Sequence, residues 1–599
     1  MKLCTFIQYF YISLLMLVPN PAFAASNARN ASGETSSTIM GDLDLSKIPH
    51  AWLSVLGGRS LTRPVKTSYG WAGLTDGGMI TAFTEDGATF WQSSLPSGAL
   101  SFISADNDDF LAVPLKNKNL CFMNPRGKVL WTKEIGFEAK FAPFFGRDGR
   151  IFVFGKDSAA CFGVNGIRKW SIKSEAFDTS IPIAELPDGT LVVFLEAKDD
   201  GKTIGMRISP FGEQIERIVF ASRVMNSLSV PEGVLLAFSD GSLGLCAIDE
   251  KSGEPFSKWV FPDTELAEGV KFARMDSDIL YAVVSPSPQG LRVHIVNTQA
   301  EKVLRTFTVP EINNASYVAA TPDGIFMADA PNAVIYTSTG RRVRAIKFPV
   351  NKNKTEYDYV LFGEGGTVVF TSRSWTVTGW KILHGTPQKK SPKKTSLNYD
   401  SLYASTNSEY RKIYDAPKKS RQKALREGGY ASSEKVFWKA AKFVMDEYFS
   451  IKNTRHNGLT RIPEDEGVYF TLPEQIAVIS TLGLFGTKSA SDYLSRVLLS
   501  ETDESALSAA LKTIRSCPYD PDGVVMDALA SLAKRTPANK EFLLGEVCDA
   551  ACALCGFMCK KSFFEKTFDI LSDLSMPQYG NSTKEKARKS YEKLAEINK

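Results

Sequence analysis

Short apolar runs recur along the first two thirds of the chain, and each run ends in turn residues. The clearest examples are Ile151–Phe154, Leu191–Phe194, Val234–Phe238, Ile279–Val284 and Val368–Phe370. These runs are rich in β-branched and aromatic residues and are almost uninterrupted by polar ones. Strands that are covered on both faces have this pattern. The sequence therefore predicts a region built from many short, buried β-strands.

The runs belong to a unit that recurs at a regular interval. Each clear copy ends on a tryptophan, and Trp91, Trp131 and Trp170 follow one another at almost equal spacing. Two further units fit between Trp170 and Trp259. A unit of roughly this length that contains four short strands is one blade of a β-propeller. We interpret the four tryptophans as structural residues of the repeat.

Three degenerate units follow, near residues 272–305, 316–344 and 357–380. They bring the count to eight, so the fold expected for residues 50–384 is a seven- or eight-bladed β-propeller, with eight favoured. A strand within residues 51–56 would complete the last blade. A sandwich or a solenoid of the same strands is the alternative, and the period with its recurrent tryptophan disfavours both.

Aspartates recur at the predicted hairpin turns. Asp-Gly between two apolar runs is a strong hairpin signal, because the turn needs a positive φ that glycine adopts freely. A glycosidase would instead need two facing carboxylates about 5 to 10 Å apart. Repetition favours turn formation for all five residues concerned, namely Asp76, Asp148, Asp188, Asp240 and Asp323.

The order Asp-Gly, apolar strand, glycine turn and closing tryptophan resembles the pyrroloquinoline-quinone-like propeller repeat over about residues 60–384. This resemblance implies a propeller and raises the possibility of a quinone-dependent dehydrogenase that holds calcium. Such enzymes are expected to have adjacent cysteines and a full Ala-x-Asp-x-x-Thr-Gly-x-x-x-Trp pattern. The chain has no Cys-Cys pair, and Asp249–Trp259 is its nearest approach to the pattern. We therefore expect no cofactor and no catalytic residues.

The N-terminus has the features of a cleavable signal peptide. Lys2 precedes an apolar run over residues 6–18, and Ala22-Phe23-Ala24 matches the cleavage motif, with cleavage after Ala24. An uncleaved anchor would need about 20 apolar residues. The sequence predicts export, with a periplasmic location, and a flexible tether over residues 25–49.

Composition changes after the last predicted blade. The 599-residue chain has a net charge of only +5, but residues 385–426 contain eleven Lys or Arg and three acids. A basic linker over residues 385–429 is the simplest interpretation, and contact of residues 389–426 with an anionic membrane surface is the alternative. The cations named for that contact are Lys389, Lys390, Lys393, Lys394, Lys418, Lys419 and Arg421.

Residues 430–599 have a helical pattern. Amphipathic segments are expected from about 432, at 476–484, 489–499, 503–515, 522–534, 538–558, 562–574 and 582–597. Helices of this length with short loops predict an α-solenoid, and the stretch from Ala506 to Ala533 resembles a HEAT-type helix pair. A glycine-rich stretch, Gly483-x-x-Gly486-Thr487-Lys488, lacks the spacing of a phosphate-binding loop.

The strongest metal candidate is a run of cysteines, Cys548, Cys552, Cys555 and Cys559. Its first three members match the spacing with which radical-SAM enzymes bind an iron–sulfur cluster. On a helix the four would extend over about 16 Å, too far to share one ion. We therefore favour a packing seam and expect no metal.

These observations predict an exported, non-enzymatic scaffold of the cell envelope. Partner proteins would bind to the propeller face and the helical region, and nucleic acid is not expected. Two alternatives stay open: a quinone- or metal-dependent periplasmic oxidoreductase, and a binder of glycans or small ligands in the propeller channel.

Overall fold

A computed structural model describes residues 42–196, 202–248, 255–261, 264–275, 279–321, 323–349, 358–363, 366–372, 375–382 and 472–598. Four predicted features lie outside these residues: the signal peptide with Ala24, the tether up to residue 41, the basic segment and the helix expected from about 432.

The chain forms an eight-bladed β-propeller, as the repeat predicts, and blades 1 to 6 are sheets of four consecutive antiparallel strands. The strands of blades 1 to 4 are β3 (Val65–Thr67), β4 (Gly70–Leu74), β5 (Met79–Thr84), β6 (Thr89–Ser94), β7 (Ser104–Ala105), β8 (Leu111–Pro114), β9 (Asn119–Met123), β10 (Val129–Glu134), β11 (Phe144–Phe145), β12 (Ile151–Phe154), β13 (Ser158–Phe162), β14 (Arg168–Lys173), β15 (Ala184–Glu185), β16 (Leu191–Leu195), β17 (Thr203–Ile208) and β18 (Gln214–Phe220).

The second half of the ring repeats the arrangement, with N-terminal strands added at its outer edge. Its strands are β19 (Val224–Val230), β20 (Gly233–Phe238), β21 (Leu243–Ile248), β22 (Pro255–Phe261), β23 (Lys271–Arg274), β24 (Leu280–Ser287), β25 (Gly290–Asn297), β26 (Lys302–Val309), β27 (Tyr317–Thr321), β28 (Gly324–Asp329), β29 (Asn332–Tyr336), β30 (Arg342–Lys347), β31 (Asp358–Phe362), β32 (Thr367–Ser372) and β33 (Thr376–Lys381), with β1 (Leu43–Asp44) and β2 (Trp52–Val55) from the N-terminus.

Strands from both ends of the propeller sequence close the ring. β2 pairs antiparallel with β33 and becomes the fourth strand of blade 8, which confirms the strand expected within residues 51–56. β1 adds a fifth strand to blade 7 by pairing parallel with β30. The N-terminal strand β2 thus completes the C-terminal blade of the ring. The edge of β33, which would otherwise be exposed, is paired as a result.

The closing tryptophans connect neighbouring blades. The indole N–H of Trp91 donates to the Pro125 carbonyl at 2.8 Å, and that of Trp170 donates to the Pro210 carbonyl at 2.9 Å. Each ring also lies against a glycine of positive φ in the same turn of the next blade, Gly127 or Gly212. The closing tryptophan of one blade therefore packs on the glycine turn of the next blade.

The five recurrent aspartates all lie in turns between consecutive strands of a blade. Two of them do more than form a turn. Asp148 pairs with buried Arg150 at 2.6 Å, and Asp188 pairs with buried Arg207. The three cysteines of the repeat, Cys121, Cys161 and Cys246, lie buried in third strands.

Residues 472–598 form seven helices, at positions close to those expected. They are α1 (Leu472–Leu482), α2 (Lys488–Ser500), α3 (Glu504–Ser516), α4 (Val524–Arg535), α5 (Glu541–Met558), α6 (Lys561–Leu574) and α7 (Asn581–Asn598). Helices α1, α3, α5 and α7 pack side by side in a first layer, and α2, α4 and α6 form a second layer. None of the described helices is long and apolar enough to cross a membrane.

One hydrophobic core extends from the helices into the propeller. It joins leucines and alanines of α3, α4 and α5 to buried side chains of blades 2 and 3, among them Phe110, Phe122 and Phe162. The helical region is therefore packed on the propeller as part of a common core.

Candidate partner-binding surfaces

The helical region contacts the turns of blades 2 and 3 through three of the loops that join its two layers, namely those of α1–α2, α3–α4 and α5–α6. The first of these loops contains Gly483 and Gly486, the stretch that lacks phosphate-loop spacing. Asn165 of blade 3 donates from Nδ2 to the carbonyls of Gly483 and Leu484, both at 3.1 Å. Nζ of Lys169 donates to the Leu484 carbonyl at 2.7 Å. This glycine-rich loop is thus a docking element within the protein.

The second loop, between α3 and α4, places an aromatic side chain against the propeller. The phenol of Tyr519 lies so close to Gly149 that a Cβ at this glycine would be 2.6 Å from the hydroxyl oxygen. The Tyr519 ring also contacts Phe110 edge-on, with 6.5 Å between centroids, and Phe557 contacts Phe110 at 5.2 Å. Phe110 and Tyr519 are buried and Phe557 is half-buried, so the packing of these aromatic rings stabilises the contact.

The third loop, between α5 and α6, supplies the charged contact. Nζ of Lys560 lies 2.6 Å from Oδ1 of Asp108 in blade 2, and it also donates to the Pro521 carbonyl at 2.9 Å. Lys560 thus connects the propeller to the α3–α4 loop. At the end of α7, the Ile597 carbonyl accepts a hydrogen bond from the Arg126 guanidinium at 3.0 Å.

Carboxyl groups are concentrated where the α3–α4 loop meets blade 2. Burial raises the pKa of Asp520 to about 6, and burial together with the nearby Asp108 raises the pKa of Asp106 to about 8. Desolvation also raises the pKa of Asp108, although Lys560 opposes the shift. These groups therefore hold protons more tightly than exposed aspartates do.

A groove of about 700 Å³ crosses the first helix layer. Small side chains of α3 form its floor, including Ser505, Ser508 and Ala509, and α1 and α5 form its walls. Phe542, at the start of α5, lines the groove and is 72% exposed. A phenylalanine this exposed beside a concave surface is typical of a protein-binding site.

The first strands of neighbouring blades contact one another and so line the central channel. Near the start of these strands, the Arg63 guanidinium lies over the Tyr317 ring at 5.2 Å. Near their end, Nε of Arg147 lies 3.4 Å from Oε2 of buried Glu185. Burial raises the pKa of Glu185 to about 8. The channel therefore holds arginines whose partners are aromatic rings or a carboxyl group.

The cysteine run lies at the end of α5. Cys548, Cys552 and Cys555 are buried in the helix, and burial raises their thiol pKa values to about 12, 11 and 12. Cys559 lies just beyond the helix end with φ +53°, and its Sγ accepts a hydrogen bond from Asn124 at 3.3 Å. Among the described residues, no three or more His, Cys, Asp or Glu side chains are grouped to hold a metal ion.

Two blade-connecting residues were missed in the sequence. Trp52, on the strand that completes blade 8, donates from its indole to the Glu85 carbonyl at 3.0 Å. Arg305, on the last strand of blade 6, donates to the Thr339 carbonyl of blade 7 at 2.9 Å. Trp52 lies before the first repeat unit, so the spacing of the closing tryptophans did not include it. Arg305 was missed because it is an arginine at a position where the clear repeat units have a tryptophan. Trp259 lies in β22, as expected of a closing position.

Comparison with known proteins agrees with the repeat. Residues 76–210 match the model of the family PQQ_2, described as outer membrane protein assembly factor BamB. Over these residues the propeller therefore shows PQQ-like repeats. No curated protein matches the chain.

Several solved structures are similar at low sequence identity. BamB from Moraxella catarrhalis is 14% identical, with 56% of this chain and 99% of that chain covered and a TM-score of 0.40. Sqt1 from Saccharomyces cerevisiae is 11% identical, with 57% and 98% covered and a TM-score of 0.39.

Proposed function

We propose that this protein is an exported, non-enzymatic scaffold of the cell envelope that binds partner proteins through its propeller face and its helical region. The observation that supports this most is the groove over α3, where Phe542, at 72% exposure, is the most exposed large hydrophobic side chain of the described residues. Exposed aromatic residues beside a concavity are the usual anchors of protein interfaces.

The arrangement of the helices supports the same proposal. Three of the loops that join the layers, those of α1–α2, α3–α4 and α5–α6, contact the propeller. The groove is lined by α1, α3 and α5, and its Phe542 is 72% exposed, which suits contact with a partner. A shared core with blades 2 and 3 also makes the helical region a rigid platform. Rigid presentation reduces the entropy that binding costs. The HEAT-like character of the helix pairs and contact of residues 389–426 with an anionic membrane surface remain part of this proposal.

Photo-crosslinking in intact cells tests the binding half of the proposal. A photoreactive amino acid at position 542 should yield adducts with one or a few proteins, identified by mass spectrometry as exported. The same amino acid at position 499 is the matched control, because Leu499 is 52% exposed but lies on α2 in the other layer. Adducts that are absent at 542, or equal at the two positions, would contradict the proposal.

Export requires a separate measurement. N-terminal sequencing of the purified mature protein should begin at Ala25, directly after the predicted cleavage site. Cell fractionation should then recover the protein with periplasmic markers. A mature chain that retains Met1 and fractionates with the cytoplasm would contradict the envelope location. The crosslinking result would still test whether the groove binds a partner.

A further inference from the structure

Every residue that lines the groove over α3 belongs to α1, α3 or α5. The floor follows α3 from Glu504 to Ser516, which are 13 residues and so about 20 Å of helix. Several lining hydroxyl groups are already bonded within their own helices, because Ser480, Thr513 and Ser516 donate to backbone carbonyls at 2.7 to 2.8 Å. The groove therefore presents small side chains whose polar atoms are largely turned toward the helix backbone.

The backbone around the groove favours a helical partner over an extended one. Away from their ends, the three helices bond their own N–H and C=O groups, so an extended chain would find no row of backbone groups to pair with. At the start of α3, Asp503 already accepts the N–H groups of Ser505 and Ala506. A helix satisfies its own backbone, and the small side chains of Ser508 and Ala509 allow it to approach closely.

A buried acid lies beside the groove and lacks a strong partner. Glu546 follows Phe542 by one turn of α5, so the two side chains lie on the same face of that helix. Glu546 is 5% exposed, and its Oε2 has no hydrogen-bond partner among the described residues. Lys512, which lines the groove, pairs with it weakly, since Nζ lies 3.8 Å from Oε1. A buried carboxylate oxygen without a donor is destabilising, and a cationic donor on a partner would remove that cost.

We propose that the groove binds an amphipathic α-helix of another exported protein, and that an arginine of this helix pairs with Glu546 while its apolar face packs against Phe542. Arginine suits the position because its guanidinium can donate two parallel hydrogen bonds to one carboxylate. The side chain of Lys512 is 63% exposed, so it can move aside as the guanidinium enters. Because it specifies the partner of the same groove, this proposal rests on the proposed function.

The photoreactive amino acid at position 542 identifies the segment needed for the test. Mass spectrometry of the adduct should place the crosslinked residue in a partner segment with apolar residues at helical spacing and an arginine within about two turns. A synthetic peptide of this segment, about 20 residues long, is then titrated with the full-length mature protein. Proline at the middle of its polar face should weaken binding about tenfold or more relative to alanine there, because proline disrupts a helix.

A double-mutant cycle assigns the arginine to Glu546. Glu546→Gln keeps the size of the side chain and should lower the affinity for the peptide about tenfold. With a peptide whose arginine is replaced by methionine, the same substitution should change the affinity less than about twofold, because the pair is already lost. Glu565→Gln, at a 61% exposed position of α6, is the matched control and should bind as the wild-type protein does.

The outcomes distinguish this proposal from the proposed function. Absence of adducts at position 542 would contradict both. An adduct with an exported protein whose peptide tolerates proline, or binds Glu546→Gln as well as the wild-type protein, would overturn the arginine-bearing helix and leave the binding role intact. An adduct within the chain itself or with a second copy would also overturn it. The peptide substitutions require no variant of the protein, so a folding defect in Glu546→Gln would not obscure the result.

Discussion

The indole N–H of Trp131 donates a 2.8 Å hydrogen bond to the carbonyl of Val164, which lies in a turn of the next blade. The same indole lies against Gly166, where a Cβ would be 2.8 Å from the ring. Equivalent contacts made by Trp52, Trp91 and Trp170 connect blade 8 to 1, 1 to 2 and 3 to 4. The repeat therefore encodes the junctions between blades as well as the blades.

Gly166→Ala should destabilise the protein strongly. Gly166 has φ +75°, and the added methyl group would overlap the Trp131 ring. We expect a loss of about 2 to 4 kcal/mol in the free energy of unfolding, from backbone strain and overpacking together. Urea unfolding followed by tryptophan fluorescence measures it. Gly136→Ala is the matched control, because φ is +86° there but nothing lies within 4 Å of the added Cβ. A similar loss in both variants would mean that the ring contact contributes little.

Lys560→Met should weaken the attachment of the helical region. The substitution leaves Asp108 without its cation and the Pro521 carbonyl without its donor, so we expect a cost of about 1 to 3 kcal/mol. Limited proteolysis should then cleave the α3–α4 loop faster than in the wild-type protein. Lys561→Met controls for the lost charge, because that side chain is 90% exposed and pairs with Glu565 of its own helix. Equal proteolysis of both variants would show that the Lys560 contact is dispensable.

His294 should make the propeller sensitive to acid. The side chain is 0% exposed in β25, Nδ1 contacts the Thr306 hydroxyl at 2.9 Å, and burial lowers the histidine pKa to about 4. Because the unfolded chain binds this proton more readily, stability is complete above about pH 6.5 and declines as the pH falls toward 4. The histidine alone should cost about 2 kcal/mol between pH 8 and pH 5.

Unfolding measured at both pH values in His294→Asn should show a decline smaller by about that amount. His50→Asn, at an exposed position, is the control and should match the wild-type protein. An unchanged acid sensitivity in His294→Asn would assign the decline to other groups.

Phe542→Ser should reduce partner binding without unfolding the protein. The ring is 72% exposed, so its loss should change the free energy of unfolding by less than about 0.5 kcal/mol. If Phe542 is an interface anchor, its removal should weaken binding of the crosslinked partner by about 2 kcal/mol, or roughly thirtyfold. Titration with the purified partner measures the change. Leu499→Ser should leave the affinity unaltered, and a loss of affinity in both variants would point to a general defect.

Most of the fold could be predicted because its signals are local. The Asp-Gly turns and the closing residues Trp91, Trp131 and Trp170 arise within single blades, and their regular recurrence leaves little choice of architecture. The helix positions from α1 to α7 also followed from amphipathic spacing. Arg305 was missed because, at the junction between blades 6 and 7, an arginine and not a tryptophan donates the hydrogen bond to the next blade.

The candidate surfaces could not be predicted in the same way. Gly483 and Lys488 resembled a poor phosphate loop, and only the packing of that loop against Asn165 shows its role. Phe542 likewise lines a groove because α3 packs between α1 and α5. The docking of the glycine-rich loop and the groove beside Phe542 both depend on contacts between segments far apart in the chain. Residue spacing along the sequence does not reveal such contacts.

The sequence by itself determined a repeated β-blade architecture and a helical region after it, and it favoured eight blades over seven. Each blade and helix is specified by residues close to one another. Only the tertiary structure decided that the helices share a core with blades 2 and 3, and that Asp108 and Lys560 pair there. Burial and charge contacts between segments as distant in the chain as blade 2 and the α5–α6 loop have no local signature. Their energies, and the titration behaviour that follows from them, therefore appear only once the chain is folded.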